Sequence, residues 1–168
     1  MGLFDKLFKR EPELEPLNVD DEAIVALADG KVKDIKSVTD PVFAEEMMGK
    51  SLAFDFDGDN VTLCAPANGT LAVLFPTGHA FGLSKGDGTE ILVHCGVDTV
   101  NSKGEGFKLC DKKQGDAVKA GDPIVKVNLK LLREKYDMST MMILTANPKN
   151  LEFKKDLGEV KRGDSVIE

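Results

Sequence analysis

The sequence contains no tryptophan, and aromatic residues make up only 6% of its 168 residues. Aliphatic side chains must therefore fill the core, and hydrophobic residues are numerous enough for this at 42%. No stretch approaches the ~20 consecutive apolar residues that a membrane-spanning helix needs. The apolar residues near the start are interrupted by Asp5 and Lys6, which argues against a secretory signal. This length and composition predict one domain, or one domain with a tail.

Cysteines are few, and none is arranged as a Cys-x-x-Cys pair. The three cysteines, Cys64, Cys95 and Cys110, are odd in number, which argues against a disulfide framework and favours a reducing cytoplasm. Long Lys/Arg clusters are also lacking, and the formal net charge is -7. Nucleic acid is therefore not expected as a partner. A protein partner with basic residues around its own site is compatible with this charge.

The first 22 residues differ in character from the rest. Residues 1–10 place four apolar side chains on one face of a possible short amphipathic helix, with basic residues around it. This tail is either a weak membrane-surface contact or a frayed end. Residues 11–22 are rich in Glu and Pro, which is typical of an exposed linker. The folded domain is expected over residues 23–168.

Long helical periodicity is lacking after residue 20, and short apolar runs separated by Gly, Asp, Asn or Pro recur instead. Only residues 129–137 suggest a brief helix. The pattern predicts an all-β fold, a sandwich or barrel with short helical turns. Residues 28–32 resemble residues 67–71, and residues 118–122 resemble residues 160–164. These echoes indicate a duplicated β unit.

The chain has only two histidines, His79 and His94. His94 ends an apolar run and precedes Gly96 and Asp98, so its imidazole is expected where a strand meets a turn. A neutral imidazole has a free lone pair near pH 7 and can accept a phosphoryl group covalently. The Gly96 carbonyl would fix the tautomer, His79 would donate to the phosphoryl oxygens, and the Thr77 hydroxyl would orient the His79 ring.

Other chemistry is less well supported by the sequence. The two histidines with Asp98 or Cys95 offer a zinc site, although no short His-x-His spacing enforces it. The chain lacks the Gly-x-Ser-x-Gly elbow of hydrolases, and the Gly-rich residues 86–88 lack the Lys-Ser/Thr of a phosphate loop. A phosphoryl-transfer protein of this kind must receive phosphate from another protein or from a small donor.

Seven blocks of sequence carry a resemblance to a known family. They are residues 40–49, 65–69, 75–81, 91–100, 104–107, 121–122 and 158–164. Through these blocks the chain, from about residue 23 to its end, resembles the glucose-type enzyme IIA family of the bacterial phosphoenolpyruvate:sugar phosphotransferase system. The resemblance implies a β-sandwich built from a duplicated hybrid motif, and a phosphoryl-carrier function that needs no cofactor other than the covalent phosphate.

The resemblance also implies roles for individual residues. His94 would accept phosphate from the carrier protein HPr and pass it to the IIB domain of a glucose-type sugar permease. His79 matches the second active-site histidine, and Thr77 matches the hydroxyl beside it. Asp40 and Asp98 match acidic positions suited to arginines on a partner. An apolar collar around the histidines would comprise Val42, Phe43, Met47, Met48, Phe75, Phe81 and Val100, for which ordinary core packing is the alternative.

Three rival functions stay open from the sequence. The first is a regulatory module that docks on partner proteins according to its phosphorylation. The second is a zinc hydrolase on a related sandwich, with zinc held by His79 and His94 or shared with a partner protein. The third is a biotinyl or lipoyl carrier. Lys126 argues against it, because this lysine is expected inside a strand and not at the exposed hairpin tip of a modified lysine.

Overall fold

The computed structural model describes residues 14–168, and within them the regular secondary structure is almost entirely antiparallel β-strand. The predicted amphipathic tail, residues 1–10, lies outside the described residues. None of the helices in the described part is long and apolar enough to cross a bilayer. The strands are β1 (Gly30–Lys33), β2 (Lys50–Phe56), β3 (Asn60–Cys64), β4 (Gly69–Leu74), β5 (Ala80–Ser84), β6 (Glu90–Cys95), β7 (Phe107–Leu109), β8 (Ala117–Val118), β9 (Pro123–Asn128), β10 (Thr140–Ala146) and β11 (Glu159–Val160). The helices are α1 (Pro41–Ala44) and α2 (Leu129–Arg133), and 3₁₀ turns span Ile35–Ser37 and Thr99–Ser102.

The strands form two sheets. The larger has eight strands in the order β11-β1-β2-β10-β6-β5-β4-β8, and the smaller has three in the order β3-β9-β7. Every strand pairing in them is antiparallel. The predicted all-β sandwich with short helical turns is confirmed, and α2 is the brief helix expected near residue 129. Its first turn is capped by Asn128, whose side chain accepts from the backbone N of Leu131.

The core lies between the sheets, but the centre of the large sheet is buried on both faces. Side chains of β10 alternate, as the two-residue period of a strand requires. Met142 and Leu144 join the main core, whereas Met141 and Ile143 join a smaller cluster on the other face with Phe43. This smaller cluster lies on the face that carries His94.

The two sequence echoes occupy equivalent places in the fold. Gly30 in β1 pairs with Val160 in β11, and Gly69 in β4 pairs with Val118 in β8. The separations, 69 − 30 = 39 and 160 − 118 = 42 residues, are those of the echoes. Equivalent backbone hydrogen bonds accompany the pairs, from Ala26 N to Asp164 O and from Ala65 N to Asp122 O, each 2.8 Å long. The duplicated β unit is therefore present in three dimensions.

Candidate active site

His94 lies near the end of β6, an interior strand of the large sheet. It pairs with Met141 in β10 and with Ala80 in β5. Side chains directly opposite each other in an antiparallel pair share a face. The imidazole is therefore on the same face as Met141 and the smaller cluster, and its backbone is fixed from both sides.

One hydrogen bond fixes the tautomer of His94. The distance from His94 Nδ1 to the carbonyl oxygen of Gly96 is 2.8 Å. A carbonyl can only accept, so Nδ1 carries the proton and Nε2 keeps its lone pair. Gly96 has a φ of 83°, and a Cβ there would lie 2.8 Å from Met138 Sδ and would overlap Thr99 Cγ2. The tight turn that returns the carbonyl to the ring therefore requires glycine.

His79 enters the site on the tight connection between β4 and β5. Gly78 N donates to the carbonyl of Phe75 at 2.8 Å, with Gly78 at a φ of 78°, and this turn leads directly into β5. The connection carries Phe75, Thr77 and His79 within five residues. A hairpin of the large sheet thus delivers three side chains of the sequence-predicted site together.

The two imidazoles meet across the β5–β6 ladder. Their ring centroids are 5.3 Å apart and their planes make an angle of 77°. His79 is only 3% exposed, and its backbone carbonyl accepts from Cys95 N at 2.7 Å. Its Nδ1 is 2.7 Å from Thr77 Oγ1. The structure therefore brings together His94, His79, Thr77 and the Gly96 carbonyl.

Each imidazole also contacts an aromatic ring. The Phe43 ring centroid lies 4.9 Å from that of His94, and the Phe75 centroid lies 5.0 Å from that of His79. Phe43 is placed by α1, which begins because Asp40 accepts from Val42 N at 2.9 Å and Pro41 occupies the first turn. The surroundings of the histidines are thus largely apolar.

This environment favours the neutral form of both histidines. Burial lowers the pKa of His79, and the nearby His94 lowers it further. Burial also lowers the pKa of His94, although the Gly96 carbonyl and then Asp40 and Asp98 act in the opposite direction. A neutral imidazole with its lone pair on Nε2 is a nucleophile at neutral pH, as the acceptor chemistry requires.

The residues of the predicted collar divide into exposed and buried groups. Met47 is 67% exposed and Val100 is 52% exposed, and Val42, Met48 and Phe75 are also exposed. These side chains can contact a partner protein. Phe43 is buried against the His94 ring and lies beneath this surface.

Phe81 was assigned wrongly to the collar. It is 1% exposed and belongs to the main core. Phe81 follows Ala80, the residue that pairs with His94, so its side chain points to the opposite face of the sheet. The alternation of β5 explains the error, because the sequence did not indicate which face carries the site.

Two exposed apolar residues within the strands were missed. Val73 in β4 and Leu109 in β7 are 41% and 38% exposed. A Cβ built on Gly78 would lie 3.5 Å from Leu109 Cδ2, so Leu109 adjoins the turn that carries His79. Nothing in the alternating pattern of these strands distinguished an exposed apolar position from a buried one.

The zinc alternative gains no support from the geometry. Among residues 14–168, no group of three or more His, Cys, Asp or Glu side chains is placed to hold a metal. Burial raises the pKa of the Cys95 thiol to about 12, so the thiolate that a metal would need is strongly disfavoured. Lys126 lies within β9, paired with Thr62 and Lys108, as expected for a residue inside a strand.

Comparison with known proteins gives a consistent result. Residues 22–150 match the family described as phosphoenolpyruvate-dependent sugar phosphotransferase system, EIIA 1. The glucose-specific EIIA component of Haemophilus influenzae is 37% identical over 99% of this chain and 97% of that protein. The corresponding component of Halalkalibacterium halodurans is also 37% identical, over 98% of this chain and 96% of that protein.

Two further matches extend this result to structure and domain organisation. The solved structure of the glucose permease IIA from Mycoplasma capricolum has a TM-score of 0.79 and 37% identity, covering 91% of this chain and 98% of that one. The glucose-specific EIICBA component of Staphylococcus carnosus is 39% identical over 82% of this chain and 20% of that longer protein.

Proposed function

Because the chain belongs to the EIIA 1 family of the phosphoenolpyruvate-dependent sugar phosphotransferase system, we propose that His94 is the residue on which it carries phosphate. The protein is a phosphoryl carrier of that system, of the glucose-specific type. The observation that supports His94 as acceptor is its hydrogen bond to the Gly96 carbonyl, which leaves the Nε2 lone pair free beside the second imidazole.

The proposed reaction is an in-line transfer from phospho-HPr. Nε2 of His94 attacks the phosphorus, a new N–P bond forms, and the bond from phosphorus to the donor breaks. The Nδ1 proton stays in place, held by the Gly96 carbonyl, so the step needs no proton transfer. The same Nε2–phosphoryl group is then open to attack by the nucleophile of a IIB domain. Positioning and electrostatics supply most of the catalysis in such transfers.

His79 stabilises the charge on the transferring group. If Thr77 donates its hydroxyl hydrogen to His79 Nδ1, then Nε2 of His79 carries a proton and can donate to a phosphoryl oxygen. A preorganised donor of this kind contributes a factor of roughly 10²–10³ in rate. Its lowered pKa means that this donor is a neutral imidazole at pH 7.

The surroundings of the site support the proposed partners. The exposed part of the collar offers an apolar contact surface, and the carboxylates of Asp40 and Asp98 act electrostatically on His94. Arginines on HPr or a IIB domain would complement these carboxylates. The name of the EIICBA relative includes a B component, which is the type of component that we propose as the next acceptor.

The acceptor residue can be tested by reconstituting the relay with phosphoenolpyruvate, enzyme I and HPr. The wild-type protein is expected to gain one acid-labile phosphate, and peptide mass mapping is expected to locate it on His94. His94→Ala is expected to gain none, because the nucleophile is absent. Phosphate uptake by that variant would contradict the proposal.

His79→Gln is the matched control, since it removes the only other imidazole. It is expected to accept phosphate on His94 but to pass it to a IIB domain roughly 10²–10³-fold more slowly. Onward transfer at the wild-type rate would show that His79 is structural only. Quench-flow measurement of the transfer from purified phosphorylated protein gives this rate directly.

A further inference from the structure

Asp137 lies in the connection between α2 and β10, and its carboxylate joins two segments of the chain that are distant in sequence. Oδ2 accepts from the backbone N of Thr39 at 3.2 Å and from Thr39 Oγ1 at 3.1 Å. Oδ1 accepts from the backbone N of Ser139 at 3.0 Å and from Ser139 Oγ at 2.6 Å. Four donors therefore converge on one side chain that makes no contact with phosphate in the proposed reaction.

The backbone around Asp137 holds the peptide that decides the tautomer of His94. Val97 N donates to the Asp137 carbonyl at 2.8 Å, and Gly96 N donates to the Ser139 carbonyl at 2.9 Å. The N–H of Val97 and the C=O of Gly96 belong to the same trans peptide and point in opposite directions. Fixing that N–H on Asp137 therefore aims the Gly96 carbonyl at His94 Nδ1.

The Thr39 side of the carboxylate leads to the segment that packs against the His94 ring. Thr39 immediately precedes Asp40, the N-cap of α1, and α1 places Phe43 against the imidazole. Asp137 thus connects the segment that packs on the His94 ring with the turn whose Gly96 carbonyl accepts the Nδ1 proton of His94.

The network is built to keep Asp137 ionised. Burial raises its pKa, but the hydrogen bonds from Ser139 and Thr39 outweigh this effect and hold the pKa below its usual range. Lys33 Nζ donates to Ser139 Oγ at 2.9 Å, and that hydroxyl donates in turn to Asp137 Oδ1. A positive charge therefore supports the carboxylate through one intervening hydroxyl.

We propose that Asp137 is a positioning residue for phosphoryl transfer, which sets the orientation and the Nδ1-protonated tautomer of His94 by fixing the Gly96 peptide and the Thr39–Phe43 segment relative to each other. The proposal rests on His94 being the phosphate acceptor. It assigns a function to a residue that no motif in the sequence singled out.

Asp137→Asn tests the proposal. Its amide NH₂ would face the backbone N–H of Thr39 or of Ser139, donor against donor, so the network opens with little change in volume. We expect the maximal rate of phosphate uptake from phospho-HPr to fall by about 10²-fold, as for a small misplacement of a reacting group, with a much smaller change in the KM for the donor. In ¹⁵N NMR spectra of the unphosphorylated protein, the neutral His94 ring is expected to show a mixture of tautomers instead of Nδ1–H alone.

Asp87→Asn is the matched control. Asp87 Oδ1 accepts from the backbone N of Thr89 at 2.9 Å, the same local turn that Asp137 makes with Ser139, but it lies in the β5–β6 turn at the other end of β6 from His94. This variant is expected to keep the wild-type rate and tautomer.

A wild-type rate together with the wild-type tautomer in folded Asp137→Asn would overturn the inference. If that variant does not fold, Thr39→Val and Ser139→Ala each remove one hydroxyl donor and carry the test, and a wild-type tautomer and rate in both would overturn it equally. The NMR measurement requires no phosphate. A failure of His94 as acceptor, seen in the wild-type mass mapping, is therefore distinguishable from a failure of this positioning role.

Discussion

At the scale of single residues, the site depends on two imidazoles that are kept uncharged. Each is buried in part by an aromatic ring, Phe43 for His94 and Phe75 for His79, and their mutual proximity makes a second positive charge unfavourable. Asp40 and Asp98 oppose this for His94 only. As a result, the proposed acceptor His94 keeps its free lone pair at a lower pH than an ordinary imidazole does.

This neutrality implies a pH-dependent stability. Since both folded-state pKa values lie below the ordinary 6.5, the unfolded chain binds more protons between these values, and the free energy of unfolding rises with pH in that window. The stability that is lost at lower pH is fully regained above about pH 6.5, the ordinary pKa of histidine. We expect urea unfolding to show a loss of stability from pH 7 to 5.5 that is smaller in the His79→Gln/His94→Gln double variant, which has no imidazole left. Equal pH slopes would contradict the expectation.

The sequence predicted the chemical groups of the site better than their spatial relations. His94, Gly96 and the apolar run before them marked a strand end, and Thr77 and His79 marked a nearby turn. Their meeting was a hypothesis from phosphoryl-transfer chemistry and from the family resemblance, because nothing in their spacing requires it. Asp137 was missed because its decisive bond, to Thr39, spans 98 residues. Its Asp-x-Ser spacing signals only a local turn with Ser139.

At the scale of elements, the site is made by three adjacent strands and the turns at their ends. The β4–β5 turn supplies His79, the end of β6 supplies His94, and the connection into β10 supplies Asp137. Because β6 is paired on both sides, its neighbouring strands cannot easily shift to accommodate small changes in the turn at its end.

Gly96→Ala is expected to show this. The added Cβ would meet Met138 Sδ and Thr99 Cγ2 in a residue held at positive φ, so we expect a loss of about 2–3 kcal/mol in the free energy of unfolding, from backbone strain and overpacking together. Gly115→Ala is the control, since Gly115 also has a positive φ but no atom within 4 Å of a Cβ. Urea titrations that give equal losses for the two variants would show that crowding at Gly96 contributes nothing.

At the scale of the whole molecule, short strands and Gly-centred turns predicted the all-β sandwich, and the echoes predicted its duplication. Sequence could not predict that the middle of the large sheet would be covered on both faces. In β10 the four consecutive apolar residues Met141–Leu144 show no alternation that would reveal that Met141 and Met142 enter different clusters. The wrong assignment of Phe81 has a related cause, since the sequence did not indicate which face of β5 carries the site.

The exposed part of the collar is expected to be the surface on which phospho-HPr docks. Val100→Lys would place a charge in the apolar contact area and oppose the arginines proposed on the partner, so we expect kcat/KM for phospho-HPr to fall about tenfold, equivalent to ~1.4 kcal/mol. Leu14→Lys is the control, because Leu14 is an exposed apolar residue too, at 40%, but lies beside β3, β7 and β9. Equal kcat/KM values for the two variants would rule out a docking role for Val100.

The pairing of β6 on both sides has a consequence for signalling. The main chain of His94 is held between β5 and β10, which restricts any change in its backbone when the proposed phosphate is bound. We therefore expect the unphosphorylated and phosphorylated proteins to be nearly superimposable. They would differ by close to two negative charges at an apolar surface. A downstream protein that distinguishes the two forms would have to recognise the difference in charge and not a difference in conformation.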